Sequence, residues 1–301
     1  MKVSAPRKLG PLGIWTAQLD HQPAAKAQEA AAELEQLGFS AIWLPEAAGR
    51  EALTNAAILL AGTKHIAVAT GIANFYARGP MAMAAAQNTL AEAYPDRFVL
   101  GLGVSHAPLV EQFRGRRYEK PVATMRAYLD AMDAAPFDAV PPASKPLRIL
   151  AALGPKMLQL AAERADGAHP YFVPPEHTAR AREILGADRI LAVEQAVVLE
   201  TDSLKAREMA RSYMALHLTM ANYLASLRSQ GFTEEDVKNG GSDRLVDAIV
   251  AWGDMRAIVD RVRAHQSAGA DHVCIQVVTA EPRALPLSQW RELASSLIGR
   301  N

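Results

Sequence analysis

Along most of the chain, Ala-rich stretches with helical spacing of apolar positions alternate with short unbroken apolar runs, and a glycine often stands at the joint. Ala27, Ala30, Leu34 and Leu37 keep that spacing, Gly38 stops it, and Ala41-Ile42-Trp43-Leu44 follows as a run ending in Pro45-Glu46. Ile258, Val262 and His265 lead in the same way to Gly269 and the run His272–Val278. Repeated through the chain, the pattern predicts strands at Leu12–Trp15, Ala41–Leu44, Ile66–Thr70, Phe98–Leu102, Arg148–Ala151, Gly167–His169, Ile190–Leu199 and His272–Val278. Between them it predicts helices opening near Pro23, Asn55, Pro80, Tyr118, Pro155, Pro174, Asp254 and Pro286, several on a proline that suits a first helical turn.

Eight strands alternating with helices imply parallel pairing through right-handed crossovers. The fold class expected is α/β, as a closed (β/α)8 TIM barrel rather than an open doubly wound sheet, in one domain spanning 1–301. One segment departs from the repeat. From about 200 to 252, after strand seven, an insertion of helical pattern replaces a short loop. Asp202-Ser203-Leu204 opens a long helix running through Leu227, Thr233 caps a second, and Asn239-Gly240-Gly241-Ser242 forms a turn. Insertions at that end of a barrel form lids or partner surfaces.

Composition narrows the function. Half of the 301 residues are hydrophobic, enough for a large core, and 32 basic residues balance 32 acidic ones. No basic excess supports nucleic-acid binding. The densest basic cluster, Arg114, Arg116 and Arg117, reads either as a solvated loop or as a contact for an anionic cofactor tail. A single cysteine, Cys274, excludes a disulfide within the chain and points to the cytoplasm. It lies in an apolar run and reads as a buried strand residue. Met1–Pro11 lacks the apolar core of a signal peptide. No apolar stretch reaches the ~18–20 residues of a membrane span.

In barrels of this class chemistry sits at the C-terminal strand ends. Those ends present Trp15-Thr16, Glu46, Gly71-Ile72-Ala73-Asn74, Val104-Ser105-His106 and Leu153-Gly154-Pro155-Lys156-Met157. Neither paired histidines at metal spacing nor a G-x-S-x-G elbow nor a P-loop occurs, so no metal is expected. The Gly154 turn opens a helix on proline and reads either as an anion site, with Lys156 adding charge, or as an ordinary β–α turn. His106 titrates near neutrality and suits proton transfer, or is a loop residue without a role. Glu46 is a base, a hydrogen-bond acceptor or a solvated rim carboxylate. Trp15 and Trp43 wall a flat ring or belong to the core, and His169 and His272 read as satisfied interior residues.

Taken together, Ile42-Trp43-Leu44-Pro45-Glu46, Gly71-Ile72-Ala73-Asn74 with Arg78-Gly79-Pro80, and Tyr94 through Gly103 resemble the luciferase-like monooxygenase superfamily, in its branch using coenzyme F420. Gly154-Pro155-Lys156 through Ala168 and Gly269 through Val273 extend the resemblance over nearly the whole chain. It implies an oxidoreductase moving a hydride between the deazaflavin C5 and a small organic substrate, a non-proline cis peptide at Gly71–Ile72 behind the ring, and a homodimer. Asn74, Val104 and Ser105 would flank the ring, Leu153, Gly154, Lys156 and Met157 would hold the phosphate, and Trp15 would border the substrate. Sugar-phosphate dehydrogenases of this branch carry an Asp-His pair where this chain has Glu46-Ala47, and a glutamate where it has His106. That substrate is therefore not expected, and His106, oriented with Glu46, becomes the acid/base candidate. The alternatives are an FMN-dependent monooxygenase and a barrel lyase or isomerase holding a phosphorylated metabolite at the Gly154 turn.

Overall fold

The computed structural model describes residues Leu9–Gly299, so most of the Met1–Pro11 segment lies outside the described residues. Eight parallel strands form the ring: β1 (Leu12–Trp15), β2 (Ala41–Leu44), β3 (Ala67–Thr70), β4 (Phe98–Gly103), β5 (Leu147–Ala151), β6 (Gly167–His169), β7 (Ile190–Val198) and β8 (His272–Val277). β8 pairs with both β7 and β1, which closes the barrel. Two short pairings decorate the rim, Ala73–Asn74 against β4 and Ala251–Trp252 against β7. The expected strands all form, with ends shifted by no more than one residue.

The outer ring contains α1 (Ala24–Gln36), α2 (Ala52–Ala61), α3 (Pro80–Ala93), α4 (Pro121–Asp133), α5 (Pro155–Arg164) and α6 (Pro175–Leu185). The insertion follows as α7 (Ser203–His217), α8 (Ala221–Ser229), α9 (Glu234–Val237) and α10 (Asp243–Ile249), and α11 (Met255–Ser267) and α12 (Leu287–Leu297) complete the ring. The single long helix expected from Asp202 to Leu227 is two helices. α7 stops at Leu218, where the Thr219 hydroxyl turns back to the Leu216 carbonyl at 2.7 Å, and α8 restarts after Met220. The bend lets Tyr213 and His217 of α7 and Tyr223 of α8 all pack on Phe172. Thr233 does cap a helix, through a reciprocal box with Asp236, but that helix ends after one turn. Ser242 then caps α10.

Side chains alternate inward and outward along each strand, so the strand register defines levels inside the barrel. One level brings together Trp43, Gly101, His169 and Cys274 from the even strands. The level above it, from the odd strands, holds Trp15, Gly71, Ala151 and Glu194. Trp43 is fully buried and fills the lower level. Its ring stacks on His169 at 4.4 Å between centroids, and its Nε1 donates to His272 Nε2 at 3.0 Å. Glycines let strands and rings close up around the indole: a Cβ on Gly71 would approach Trp43 Cε3 to 3.2 Å, one on Gly101 would run into the Thr70 carbonyl, and one on Gly13 would lie 2.6 Å from His272 Nε2. Cys274 is buried as expected, its Sγ donating to the Val193 carbonyl.

Replacing Trp43 by alanine empties this level and strips His272 Nε2 of its donor. Denaturant unfolding is expected to show a loss of about 3–5 kcal/mol, and a loss below about 1 kcal/mol would contradict this packing.

Candidate active site

Above Trp43 the barrel opens. A cavity of about 640 Å³ begins at the level of Trp15, Gly71 and Ala151 and is walled on one side by the insertion. The floor is low because this level carries a glycine and an alanine beside its indole. Trp15 Nε1 donates to the Gly71 carbonyl at 2.9 Å, and a Cβ on Gly71 would sit 2.9 Å from that same nitrogen. The Gly71–Ile72 peptide is cis, at the place the resemblance implied. Ile72, Val104 and Ser105 continue the wall, and a Cβ on Gly103 would lie 2.5 Å from Ile72 Cδ1.

Asn74 is not among the residues lining the cavity; its Oδ1 accepts from Tyr76 N at 2.9 Å, capping the short turn Phe75–Ala77, and the residue is 1% exposed. Glu46 does line the cavity, but it is no solvated carboxylate. Arg78 grips it from one side, and it accepts the Asn74 backbone N–H at 2.7 Å from the other. Arg78 also pairs with Glu51. Glu46 thus braces the loop after β3.

His106 reaches the cavity from the end of β4. Its Nδ1 lies 2.7 Å from Asn222 Oδ1, on α8. An amide oxygen only accepts, so Nδ1 carries the hydrogen and Nε2 keeps its lone pair. Burial holds the imidazole below its usual titration range, and the Asn222 bond opposes this only in part. Neutral His106 is therefore a proton acceptor at Nε2.

From the end of β5, which pairs with β4, Leu153, Gly154, Lys156 and Met157 line the cavity at the start of α5. Gly154 caps this helix, Pro155 has no N–H, and a Cβ on Gly154 would meet nothing within 4 Å. The Lys156 N–H belongs to the unmatched donors of a helix start, in open space and at the positive end of the dipole. His177 of α6 fixes the turn by bonding the Leu153 carbonyl at 2.8 Å. Of the arginine cluster, Arg117 is exposed and pairs loosely with Glu119, while Arg114 reaches the Ala47 carbonyl at 3.3 Å.

Several lining residues lay outside the expected set: Tyr171 after β6, and Leu216, His217, Met220, Asn222 and Tyr223 of the insertion. His169 is a correction. It lines the cavity, and although Nδ1 donates to the Ala192 carbonyl at 2.9 Å, its Nε2 has no partner. His272, by contrast, has both nitrogens satisfied. Among the described residues no cluster of His, Cys, Asp and Glu is placed to hold a metal, and no helix is long and apolar enough to cross a membrane.

Residues 11–272 match the family described as luciferase-like monooxygenase. A protein of Mycobacterium tuberculosis named as a coenzyme F420-dependent oxidoreductase is 30% identical over 92% of this chain and 96% of its own length. Among solved structures, an F420-dependent secondary alcohol dehydrogenase in complex with an F420-acetone adduct superposes with a TM-score of 0.76 at 15% identity, covering 97% of this chain and 100% of that one. The oxygenating constituent of 3,6-diketocamphane monooxygenase from Pseudomonas putida, in complex with FMN, gives 0.70 at 14% identity, with 96% of each chain covered. At these identities the two structures speak for the fold.

The imidazole of His106 is expected to titrate below 6.5 in an NMR pH series, and lower still in Asn222→Ala, which removes the one bond that favours its charged form. A midpoint at or above 6.5 in the native protein would contradict the buried geometry.

Proposed function

The chain belongs to the luciferase-like monooxygenase family, and from that premise we propose that it is a coenzyme F420-dependent oxidoreductase moving a hydride between the deazaflavin C5 and a small organic substrate. The observation that carries this reading is the mixed lining of the cavity. It combines the unmatched Lys156 N–H and the Lys156 side chain at the start of α5, a glycine-lined apolar floor, and a neutral imidazole with a free lone pair. An anionic tail, a flat ring and a reacting substrate fit those three parts in turn. The name of the M. tuberculosis relative supports the choice of coenzyme.

Leu153, Gly154, Lys156 and Met157 would hold the phosphate, and Gly71, Ile72, Val104 and Ser105 the ring, with Trp15 and the insertion bordering the substrate. The bound coenzyme supplies a ring carbon that gives or takes a hydride, favouring two-electron chemistry. His106 Nε2 takes a proton from a substrate hydroxyl in the oxidising direction and returns it in the reducing one. Glu46, through Arg78 and the Asn74 N–H, keeps the β3 loop in place beside the ring. The apolar walls exclude water, which strengthens each of these polar contacts.

Titration of the purified protein with coenzyme F420 and with FMN tests the reading. Tight F420 binding is expected, and preference for FMN would overturn it in favour of a flavin monooxygenase. Lys156→Ala should weaken F420 binding by up to about tenfold. Once a substrate is found, His106→Ala should lower kcat by about a hundredfold or more while leaving the coenzyme Kd unchanged.

A further inference from the structure

The cavity is lined by a further imidazole that proton transfer at His106 leaves unused. His217, the last residue of α7, lines it together with His106. The Tyr223 ring neighbours both, 5.0 Å from His106 and 5.4 Å from His217 between centroids. His217 Nδ1 bonds the Tyr213 carbonyl at 2.9 Å, and Nε2 has no partner in the protein. Unlike the Nε2 of His169, it is not sealed from open space.

The ring is held in one orientation. It stacks on buried Phe172 at 4.8 Å with 9° between the planes, and Tyr171 and Tyr213 also pack against it. A carbonyl only accepts, so the hydrogen sits on Nδ1 and Nε2 keeps its lone pair. Burial lowers its titration to about 4, with His106 adding to the effect and the Tyr213 carbonyl opposing it.

We propose that His217 Nε2 is a substrate-binding acceptor that selects molecules with a second hydroxyl, so that the substrate is a diol in the oxidising direction and a hydroxyketone in the reducing one. The inference rests on the reading of this cavity as the site of a hydride-transferring oxidoreductase and adds the class of its substrate.

Two lone pairs, on His106 Nε2 and His217 Nε2, face one cavity, and a single hydroxyl has one hydrogen to give. The reacting hydroxyl passes its proton to His106 while its carbon passes a hydride to the coenzyme. The second hydroxyl keeps its proton and donates to His217. A charged group fits less well in its place. Among the lining residues Glu46 is the one acid, and Arg78 holds it, so an ammonium would lose its water without gaining a counter-charge. A carboxylate or phosphate would need a protonated His217, which burial opposes. A substrate with no second donor leaves Nε2 unpaired, which is how a polar site rejects an analogue that lacks one group.

The experiment is nitrogen NMR of histidine-labelled, coenzyme-loaded protein. It is titrated with linear secondary alcohols, with matched diols whose hydroxyls stand on adjacent carbons, one carbon apart or two carbons apart, and with matched hydroxy acids. One diol is expected to bind roughly threefold to tenfold more tightly than its matched alcohol, and to move the His217 Nε2 resonance further. His217→Phe keeps the stack on Phe172 but offers no acceptor, so the ratio of diol to alcohol affinity should fall close to one. His217→Gln restores an acceptor oxygen and should recover part of the ratio. The same ratio in His217→Phe as in the native protein, no diol preferred over its alcohol, or a hydroxy acid bound more tightly than any diol would overturn the proposal while leaving F420 as the coenzyme. If the native protein takes FMN instead, the hydride-transfer reading falls, and the same ratios on the FMN-loaded protein still decide the role of His217. If neither coenzyme binds, both readings fall.

Discussion

The site depends first on one buried indole. Trp43 occupies a barrel level whose partners are Gly101, His169 and Cys274, with Gly101, Gly13 and Gly71 lacking side chains where strands and rings approach most closely around it. It plugs the barrel below the cavity and anchors His272 from one edge while its face supports His169. The level above is then free to be shallow, with Gly71 and Ala151 leaving room beside Trp15. The cavity is thus a consequence of how volume is distributed between neighbouring levels, large below and small above, within an interior that otherwise packs densely.

Two different supports hold the walls of that cavity. On the β2–β3 side, Glu46, Arg78 and the Asn74 N–H form a largely buried charge-assisted brace, so the backbone beside Gly71 is held by bonds that are costly to break. On the opposite side the wall is made by α7 and α8, whose junction at Leu218–Met220 is fixed by short turn bonds and by aromatic packing on Phe172. Tyr213, His217 and Tyr223 reach this packing only because the helix breaks. Polar bonds hold one side of the cavity and apolar contact the other.

Much of this was legible in the chain because the signals are local. Each strand is a short apolar run with a glycine or proline beside it, and each was located to within a residue at either end. The Gly154-Pro155 helix start and the position of His106 follow from the same punctuation. The insertion was legible as helical but not in its break. No glycine or proline marks Leu218–Met220, and the break exists for contacts with Phe172, distant in sequence. The cap at Asn74 was not legible, because a polar residue after a strand end serves a site or a turn equally well, and the bond from the Tyr76 N–H is a matter of local geometry. Glu194 stands visibly as a carboxylate inside Ile190–Val198, yet its burial at the level of Trp15, Gly71 and Ala151 emerges only from the register of all eight strands. His169 illustrates the same limit: its position in a strand was readable, but not that its two nitrogens face different surroundings.

Asn222 gives the insertion a second duty. The helix that forms the substrate wall also supplies the acceptor that sets the His106 tautomer. The brace at Glu46 and the donors at Gly154 belong to the barrel and do not depend on α8. Diversification of such a protein is therefore lopsided. A descendant could exchange the barrel's outer surface with little effect on chemistry, but one that remodels α8 to admit a different molecule must in the same step re-establish a partner for the imidazole. On the proposed reading of the site, substrate range and proton handling are inherited as a linked pair.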